Sequence, residues 1–360
     1  MRYRPSGFAI LLAGVLAVAG CQKEQARDGG QATGAQIDWK MASAFPSSLP
    51  IVGDSGPYFS EKVGRLSRGR ISIKFYDPGK LVPALEVFDA VAQGSVDAGW
   101  TTAGYWIGKI PAATFFTAVP YGPDTSEYLS WVFEGGGWEL WQELYAPHNV
   151  MPVPCQITPP EASGWFREPI NRLDQFKGLK IRFFGVGGQA IQKLGASVQL
   201  LAAADIFPAL ERGVLDATEF ANPSLDERLG FSKIAKHYYF PGWHQQASVG
   251  ELIINLDRWK ALDAIDQEFL VTVCRDVIVR DIAVGEIQQP PALERIKKDG
   301  VQVHSWPKEF LDAFRKASQE AIDENAAKDP QFKRVYESYK AFRAAYAPWA
   351  KISRVPLIQD

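Results

Sequence analysis

The chain has 360 residues, 46% of them hydrophobic and 22% charged, with 39 Lys and Arg against 41 Asp and Glu. That length is enough for two lobes of ordinary size. The balanced charge excludes a nucleic-acid binder that works by neutralising phosphates and an acidic disordered segment. Three cysteines are too few for a disulfide framework, and no run of the ~18 apolar residues that a membrane helix requires follows the N-terminal stretch.

At the front, Arg2 and Arg4 precede the apolar stretch Phe8–Gly20. As helix this stretch reaches about 20 Å, short of a ~30 Å hydrocarbon core, so residues 1–20 read as a secretory signal peptide. Val18-Ala19-Gly20-Cys21 resembles a bacterial lipobox and predicts lipidation of Cys21; the alternative is an ordinary signal with a chance cysteine. Its removal takes away two arginines and no acid, moving the net charge from −2 to −4. Residues 21–36 are polar, rich in Gly and Ala and without periodicity, as in a flexible tether. With Cys21 acylated, Cys155 and Cys274 remain, 119 residues apart in apolar settings, and are expected to be two buried free thiols.

Short apolar strands then alternate with amphipathic helices. Ile37–Ser43 reads as a strand, Pro57–Leu66 as a helix, Ile71–Tyr76 as a strand, Pro83–Gln93 as a helix and Val96–Trp100 as a strand. This alternation implies parallel pairing through right-handed crossovers, hence an α/β fold. The segment Phe88-Asp-Ala-Val-Ala-Gln-Gly94-Ser-Val-Asp97-Ala98 recurs as Phe207-Pro-Ala-Leu-Glu-Arg-Gly213-Val-Leu-Asp216-Ala217. Upstream, Lys74-Phe75-Tyr76 with Gly79 recurs as Arg182-Phe183-Phe184 with Gly187. Two repeats in one order predict two related lobes with a cleft facing the carboxyl ends of their sheets. Ser248–Leu256 is a strand crossing back. Helices follow over 257–288, which Pro290-Pro291 should break or kink, and over 308–328. A last helix carries Phe332, Val335, Tyr336, Tyr339, Phe342 and Tyr346 in one stripe. These terminal helices either wrap across both lobes or dock onto a second subunit.

Catalytic signatures are absent. There is no G-x-S-x-G elbow, and none of His148, His237, His244 and His304 sits in H-E-x-x-H or at zinc spacing with Cys. His244, in Pro241-Gly242-Trp243-His244, reads as a loop histidine satisfied by its neighbours. Gly185-Val186-Gly187-Gly188-Gln189-Ala190 imitates a dinucleotide loop, with Asp205 twenty residues on. Asp205, however, opens a helix and is better read as its N-cap, so no nucleotide cofactor is expected.

Several residues carry a ligand site. Arg182 at a strand end beside the cleft suits capture of a carboxylate. By residue type alone, Glu161 and Glu219 belong in solvent. Among their apolar neighbours, a buried acid instead requires a cation, an arginine or a ligand donor, and two carboxylates with a carbonyl suit Ca²⁺ or Na⁺. Tyr105, Trp106 and Phe220 are either core aromatics or a pocket wall.

The chain resembles the solute-binding subunits of TRAP (tripartite ATP-independent periplasmic) transporters, the DctP-type family, and especially members that bind 2-oxo acids and lactate. The resemblance runs from about Trp39 to Tyr346, through LVPALEVFDAV (81–91), YWIGKIPAATFFTAVPYG (105–122), GGGWELWQELYAPHN (135–149), GWFREPINRLDQFKGLKIRF (164–183), IFPALERGVLDATEF (206–220), YYFPGWH (238–244) and GELIIN (250–255). It implies a two-lobed clamshell of the type II binding-protein kind with long C-terminal helices. Lobe 1 would be 37–160 with about 248–280. Lobe 2 would be 161–247 with part of 281–360, the C-terminal helices bridging the two. The hinges would lie near 160 and 248. It implies capture of a small organic acid in the periplasm and delivery to membrane permease subunits, with no nucleic-acid partner, no enzymatic activity, an anchor at Cys21 and homodimerisation as an open option. It places the carboxylate-binding arginine at Arg182 and a Ca²⁺ or Na⁺ near Glu219 and the Phe220 carbonyl. Those members carry Gln where this chain has Glu161 and Trp where it has Phe220. The first change favours a divalent cation, or else a ligand with a donor group; the second enlarges the pocket. Asn222 resembles an Asn that contacts ligand, and Glu251 is a further cation or ligand contact. On this reading Arg182→Ala abolishes acid binding and leaves the fold intact. The competing readings are an exported enzyme or a ligand-sensing subunit on the same fold.

Overall fold

The computed structural model describes residues 36–353. The signal peptide, Cys21 and nearly all of the tether lie outside the described residues. Among the described residues, eleven strands form two sheets: β1 Ile37–Ser43, β2 Ile71–Tyr76, β3 Ala98–Thr101, β4 Val150–Thr158, β5 Gly164–Phe166, β6 Lys180–Arg182, β7 Ser197–Gln199, β8 Ala217–Thr218, β9 His237–Phe240, β10 Ser248–Asn255 and β11 Gln302–Ser305. The first sheet has the order β2-β1-β3-β10-β4 and the second β11-β9-β5-β8-β6-β7. In each, a central strand pairs in parallel with two neighbours: β1 with β2 and β3, and β6 with β7 and β8. Two antiparallel strands then follow, β10 and β4 in one sheet, β5 and β9 in the other. Leaving β11 aside, the sheets share one plan, and the chain passes between them at 159–163 and again at 241–247.

The Gly-x-x-Asp-Ala repeat has a structural duty in both sheets. Gly94 and Gly213 end helices with φ of 73° and 71°, the left-handed turn that glycine makes at little cost. Three residues on, each aspartate clamps the central strand. Asp97 Oδ2 accepts from the Lys40 N–H at 2.9 Å, and Asp216 Oδ2 accepts from the Lys180 N–H at 2.9 Å. The other expected repeat does not hold. Asp97 binds β1 and Asp216 binds β6, so β6 corresponds to β1; β2, which carries Lys74-Phe75-Tyr76, is an edge strand matched by β7. Gly79 is a turn residue with φ of 77°, whereas Gly187 lies inside the helix Gly185–Lys193.

Three further expectations are corrected. Cys155 and Cys274 form a disulfide with Cα atoms 4.3 Å apart, because the helix Ala264–Lys298 lies across β4; separation along the chain said nothing about this proximity. That helix also runs on through Pro290 and Pro291. Both prolines are exposed, so the carbonyls that lose a helical donor meet water instead. Asp205 is not an N-cap: its helix is Ala203–Glu211, capped by Ala202, and Asp205 sits in the exposed first turn, where the helix dipole favours an acid.

The terminal helices span both halves. Lys308–Lys328 packs on Gly185–Lys193, with Asn325 donating to Gln189 Oε1 at 2.7 Å. Pro330–Ser353 buries Phe332, Val335 and Tyr339 against Phe115 and Trp131. Among the described residues no helix is long and apolar enough to cross a membrane.

Candidate functional site

The site is assembled where β6 and β8 end, together with the two passages between the sheets. Arg182 is the last residue of β6 and Glu219 follows β8; the Glu219 N–H donates to the Arg182 carbonyl at 3.0 Å, continuing the parallel ladder. Arg182 is 1% exposed. Its Nη1 donates to Glu219 Oε2 and to the Glu219 carbonyl, both at 2.7 Å, and its Nε to the Leu201 carbonyl at 3.2 Å. Glu219 Oε2 also accepts from the Phe184 N–H at 3.1 Å. The guanidinium lies 5.3 Å from the Phe220 ring centre and 5.9 Å from that of Phe184, a favourable cation–π arrangement in a dry setting.

Glu161 arrives on the passage 159–163 and His244 on the passage 241–247. The two passages are tied together: Gly242 N–H donates to the Glu161 carbonyl at 2.8 Å, and Glu161 N–H to the Gln245 carbonyl at 3.3 Å. Gln245 Nε2 donates to Glu161 Oε1. A Cβ on Gly242 would stand 2.3 Å from the Glu161 carbonyl oxygen, so only glycine permits this approach. His244 Nε2 then lies 3.3 Å from Glu219 Oε1 and 3.7 Å from Glu161 Oε2. These two oxygens and both His244 nitrogens are buried without a hydrogen-bond partner. One ligand atom from each of the three residues lies within 4.8 Å of the others. Two orphaned carboxylate oxygens and an imidazole nitrogen aimed at one point form a donor set that fits a cation.

Burial pushes the Glu161 carboxyl well up from the usual range, against the opposing pull of His244. Burial works to lower the His244 pKa, but the two carboxylates outweigh it and raise it to about 9. Without another cation, the His244–Glu161 pair therefore retains a proton at neutral pH.

A cavity of about 40 Å³ adjoins this cluster, walled by Tyr105, Phe184 and Phe220 and edged by Glu161, Gln156 and Gln245. Tyr105 is buried, which pushes its hydroxyl up to about 12 despite the neighbouring Arg182.

The structure thus brings together Arg182, Glu161, Glu219, Phe220 and Tyr105. It separates others. Trp106 faces away from the cavity: its Nε1 donates to Glu251 Oε1 at 2.9 Å and its ring packs on Phe88. Glu251, on β10, is enclosed with Trp106 and Tyr145, apart from the Glu161–Glu219–His244 group. Asn222 is fully buried and its Oδ1 accepts from the Ser224 hydroxyl at 3.1 Å; it does not line the cavity. Sequence reasoning set His244 aside and passed over Gln245, Phe184 and Asp226. Asp226 braces the Glu219–Ala221 segment, accepting at 2.8 Å from both Trp165 Nε1 and the Tyr238 hydroxyl and at 3.1 Å from the Ala221 N–H. Counting charge would have flagged His244, since two buried carboxylates demand more than Arg182 alone supplies.

Comparison with known proteins agrees with this architecture. A monocarboxylate 2-oxoacid-binding periplasmic protein of Nostoc is 35% identical over 320 residues, 89% of this chain and 87% of its own. A TRAP transporter solute-binding protein from Bordetella bronchiseptica, with co-purified calcium and picolinate, superposes with a TM-score of 0.87 at 33% identity, covering 89% of this chain and 95% of that one. A TRAP periplasmic solute-binding protein from Pseudoalteromonas atlantica, with bound sodium and pyruvate, gives 0.83 at 32% identity over 88% of this chain and 96% of that one. The family model of bacterial extracellular solute-binding proteins, family 7, matches residues 41–329, and the chain belongs to that DctP family of TRAP solute-binding proteins.

Proposed function

We propose that this chain is the extracytoplasmic receptor of a TRAP transporter for a small 2-oxo or 2-hydroxy monocarboxylate, held together with a cation and passed on to membrane permease subunits. The observation that carries this reading is the convergence of Glu161 Oε2, Glu219 Oε1 and His244 Nε2, all buried and unpartnered, beside the Arg182 guanidinium. Glu161 and Glu219 would hold the cation, with the Phe220 carbonyl as a further ligand. When bound, the cation supplies the positive charge that the acid's carboxylate and adjacent oxygen require. Arg182 neutralises Glu219 and orients the acid's carboxylate. Tyr105 and Phe220 set the pocket's width. Trp106 and Glu251 act one layer behind the wall, not on the ligand.

Charge supports a divalent ion. Glu161 and Glu219 against Arg182 leave one excess negative charge; with neutral His244, a divalent cation and a monoanion bring the site to zero. Arg182, Glu219, Glu161 and His244 are each no more than 4% exposed, so ligand entry requires the halves to part. We place the lobes at 37–160 with 248–280 and at 161–247 with part of 281–360, moving about 160 and 248. The receptor performs no turnover. Lipidation at Cys21 and pairing into a homodimer complete the proposal.

Thermal unfolding against a panel of organic acids, with calcium and after chelation, tests it. Binding to the native state at 100 times Kd adds about 2.7 kcal/mol. The reading predicts a shift with 2-oxo or 2-hydroxy monocarboxylates that chelation removes. No shift with any acid overturns it.

A further inference from the structure

We infer that the wall which the first sheet gives the cavity reads a hydroxyl on the bound acid, so that the receptor prefers short acids hydroxylated beyond the 2-position, of the glycerate and 3-hydroxypyruvate kind, to lactate and pyruvate. This rests on the receptor reading above and narrows its substrate class.

That wall is polar where an alkyl tail would require hydrocarbon. Thr102, Gln156, Thr158 and Ser248 all line the cavity, and none is more than 7% exposed. Thr102 follows β3, Gln156 and Thr158 close β4, and Ser248 opens β10 directly opposite Thr158. The hydroxyls of Thr102 and Ser248 are joined through that of Thr117, at 2.6 and 3.0 Å. Gln156 Nε2 donates to Thr158 Oγ1 at 2.8 Å, which leaves the Thr158 hydrogen to donate onward. Gln245, also in the lining, adds an acceptor. Its Nε2 is committed to Glu161 Oε1, and its Oε1 is buried without a partner. With Glu161 ionised beside a cation, turning the amide over would set two acceptors against each other, so the free atom is the oxygen.

The backbone is shaped to hold this wall. Gly250 pairs with Gln156 across the sheet, and a Cβ on Gly250 would stand 1.8 Å from Gln156 Oε1. The register of β10 shifts immediately afterwards, between Gly250 and Glu251. A glycine and a bulge together let the Gln156 side chain lie across β10. A wall that met only a methyl group would need neither.

Donor and acceptor chemistry gives the ligand class. Thr158 offers a hydrogen and Gln245 a lone pair; a hydroxyl satisfies both, because it donates once and accepts twice. The methyl group of lactate or pyruvate would leave both unpartnered in a dry pocket, and a site built to hydrogen-bond a hydroxyl rejects the analogue that lacks it. Tyr105, Phe184 and Phe220 cover the carbon chain. The cavity is only about 40 Å³, so the hydroxyl belongs on a short acid.

The test is calorimetric titration of the purified full chain in saturating calcium with two pairs of acids that differ by one hydroxyl: lactate against glycerate, and pyruvate against 3-hydroxypyruvate. We expect the hydroxylated member of each pair to bind at least ~10-fold more tightly. Thr158→Val with Ser248→Ala removes two hydroxyls from the wall at nearly constant volume, and should reduce that preference at least ~5-fold. Equal affinity within the pairs, or tighter binding of lactate and pyruvate, overturns the inference in the unmutated chain, whether or not the variant folds. A preference that the folded variant retains in full overturns the assignment to this wall. Binding of all four acids without preference overturns this inference alone, whereas binding of none overturns the receptor reading and this inference with it.

Discussion

The Cys155–Cys274 bond lends itself to a quantitative test, since it joins β4 to the long helix Ala264–Lys298 across 119 residues. Closing a loop of that length in the unfolded chain is worth about 5 kcal/mol by chain entropy, and native disulfides return roughly 2–5 kcal/mol in practice. Unfolding entropy near 2.1 cal/mol/K per residue, taken over roughly 320 residues, gives ~0.7 kcal/mol per degree. Cys155→Ala with Cys274→Ala should therefore lower Tm by about 3–7 °C. Both sulfurs are wholly buried, so a reductant should act on the unfolded chain long before the folded one. The assay pairs calorimetry of the two proteins with a non-reducing peptide map. Separate Cys155 and Cys274 peptides, or a double variant that melts with the unmutated chain, would refute the reasoning.

Other consequences follow from the same contacts. Arg182→Ala should abolish acid binding and, because it strands the buried Glu219 carboxylate, also cost about 3–5 kcal/mol; the sequence-based expectation of an intact fold overlooks that partner. Arg182→Lys should keep most stability and lose at least tenfold in affinity by titration, and unchanged affinity would displace Arg182 from the ligand. Glu251 is pushed up to about 8 by burial, against hydrogen bonds from Trp106 and Tyr145. A raised folded pKa adds stability below the unfolded value near 4.5 and loses it as pH rises to about 8. Urea unfolding at pH 5 and 8.5 should show a smaller loss for Glu251→Gln than for the unmutated chain. Asp216→Ala, which removes the clamp on Lys180, should cost about 1 kcal/mol in the same assay.

Much of the frame was legible because it is local. Ile37–Ser43 and Ile71–Tyr76 are strands with the expected ends, since their apolar runs stop at turn residues. The recurring Gly-x-x-Asp-Ala was legible because one hydrogen-bonding duty is performed twice, by Asp97 on Lys40 and Asp216 on Lys180. The Lys74/Arg182 match misled because a basic residue before two aromatics fits an edge strand and a central strand equally well. The site was half legible. Arg182, Glu161 and Glu219 stood out as charge among apolar neighbours. His244 did not, because its meaning depends on two carboxylates delivered from elsewhere in the chain. Trp106 Nε1 donates to Glu251 Oε1, a pairing of residues 145 positions apart, and no local pattern encodes it. The disulfide was hidden for the same reason.

Calorimetric titration of the chelator-treated chain with pyruvate, before and after adding one equivalent of divalent ion, tests the central claim most directly. The account predicts saturable binding of one pyruvate per chain once the ion is present, and at least tenfold weaker binding without it. Binding of equal strength with and without the ion, or no heat with pyruvate and related monocarboxylates in either state, would contradict it.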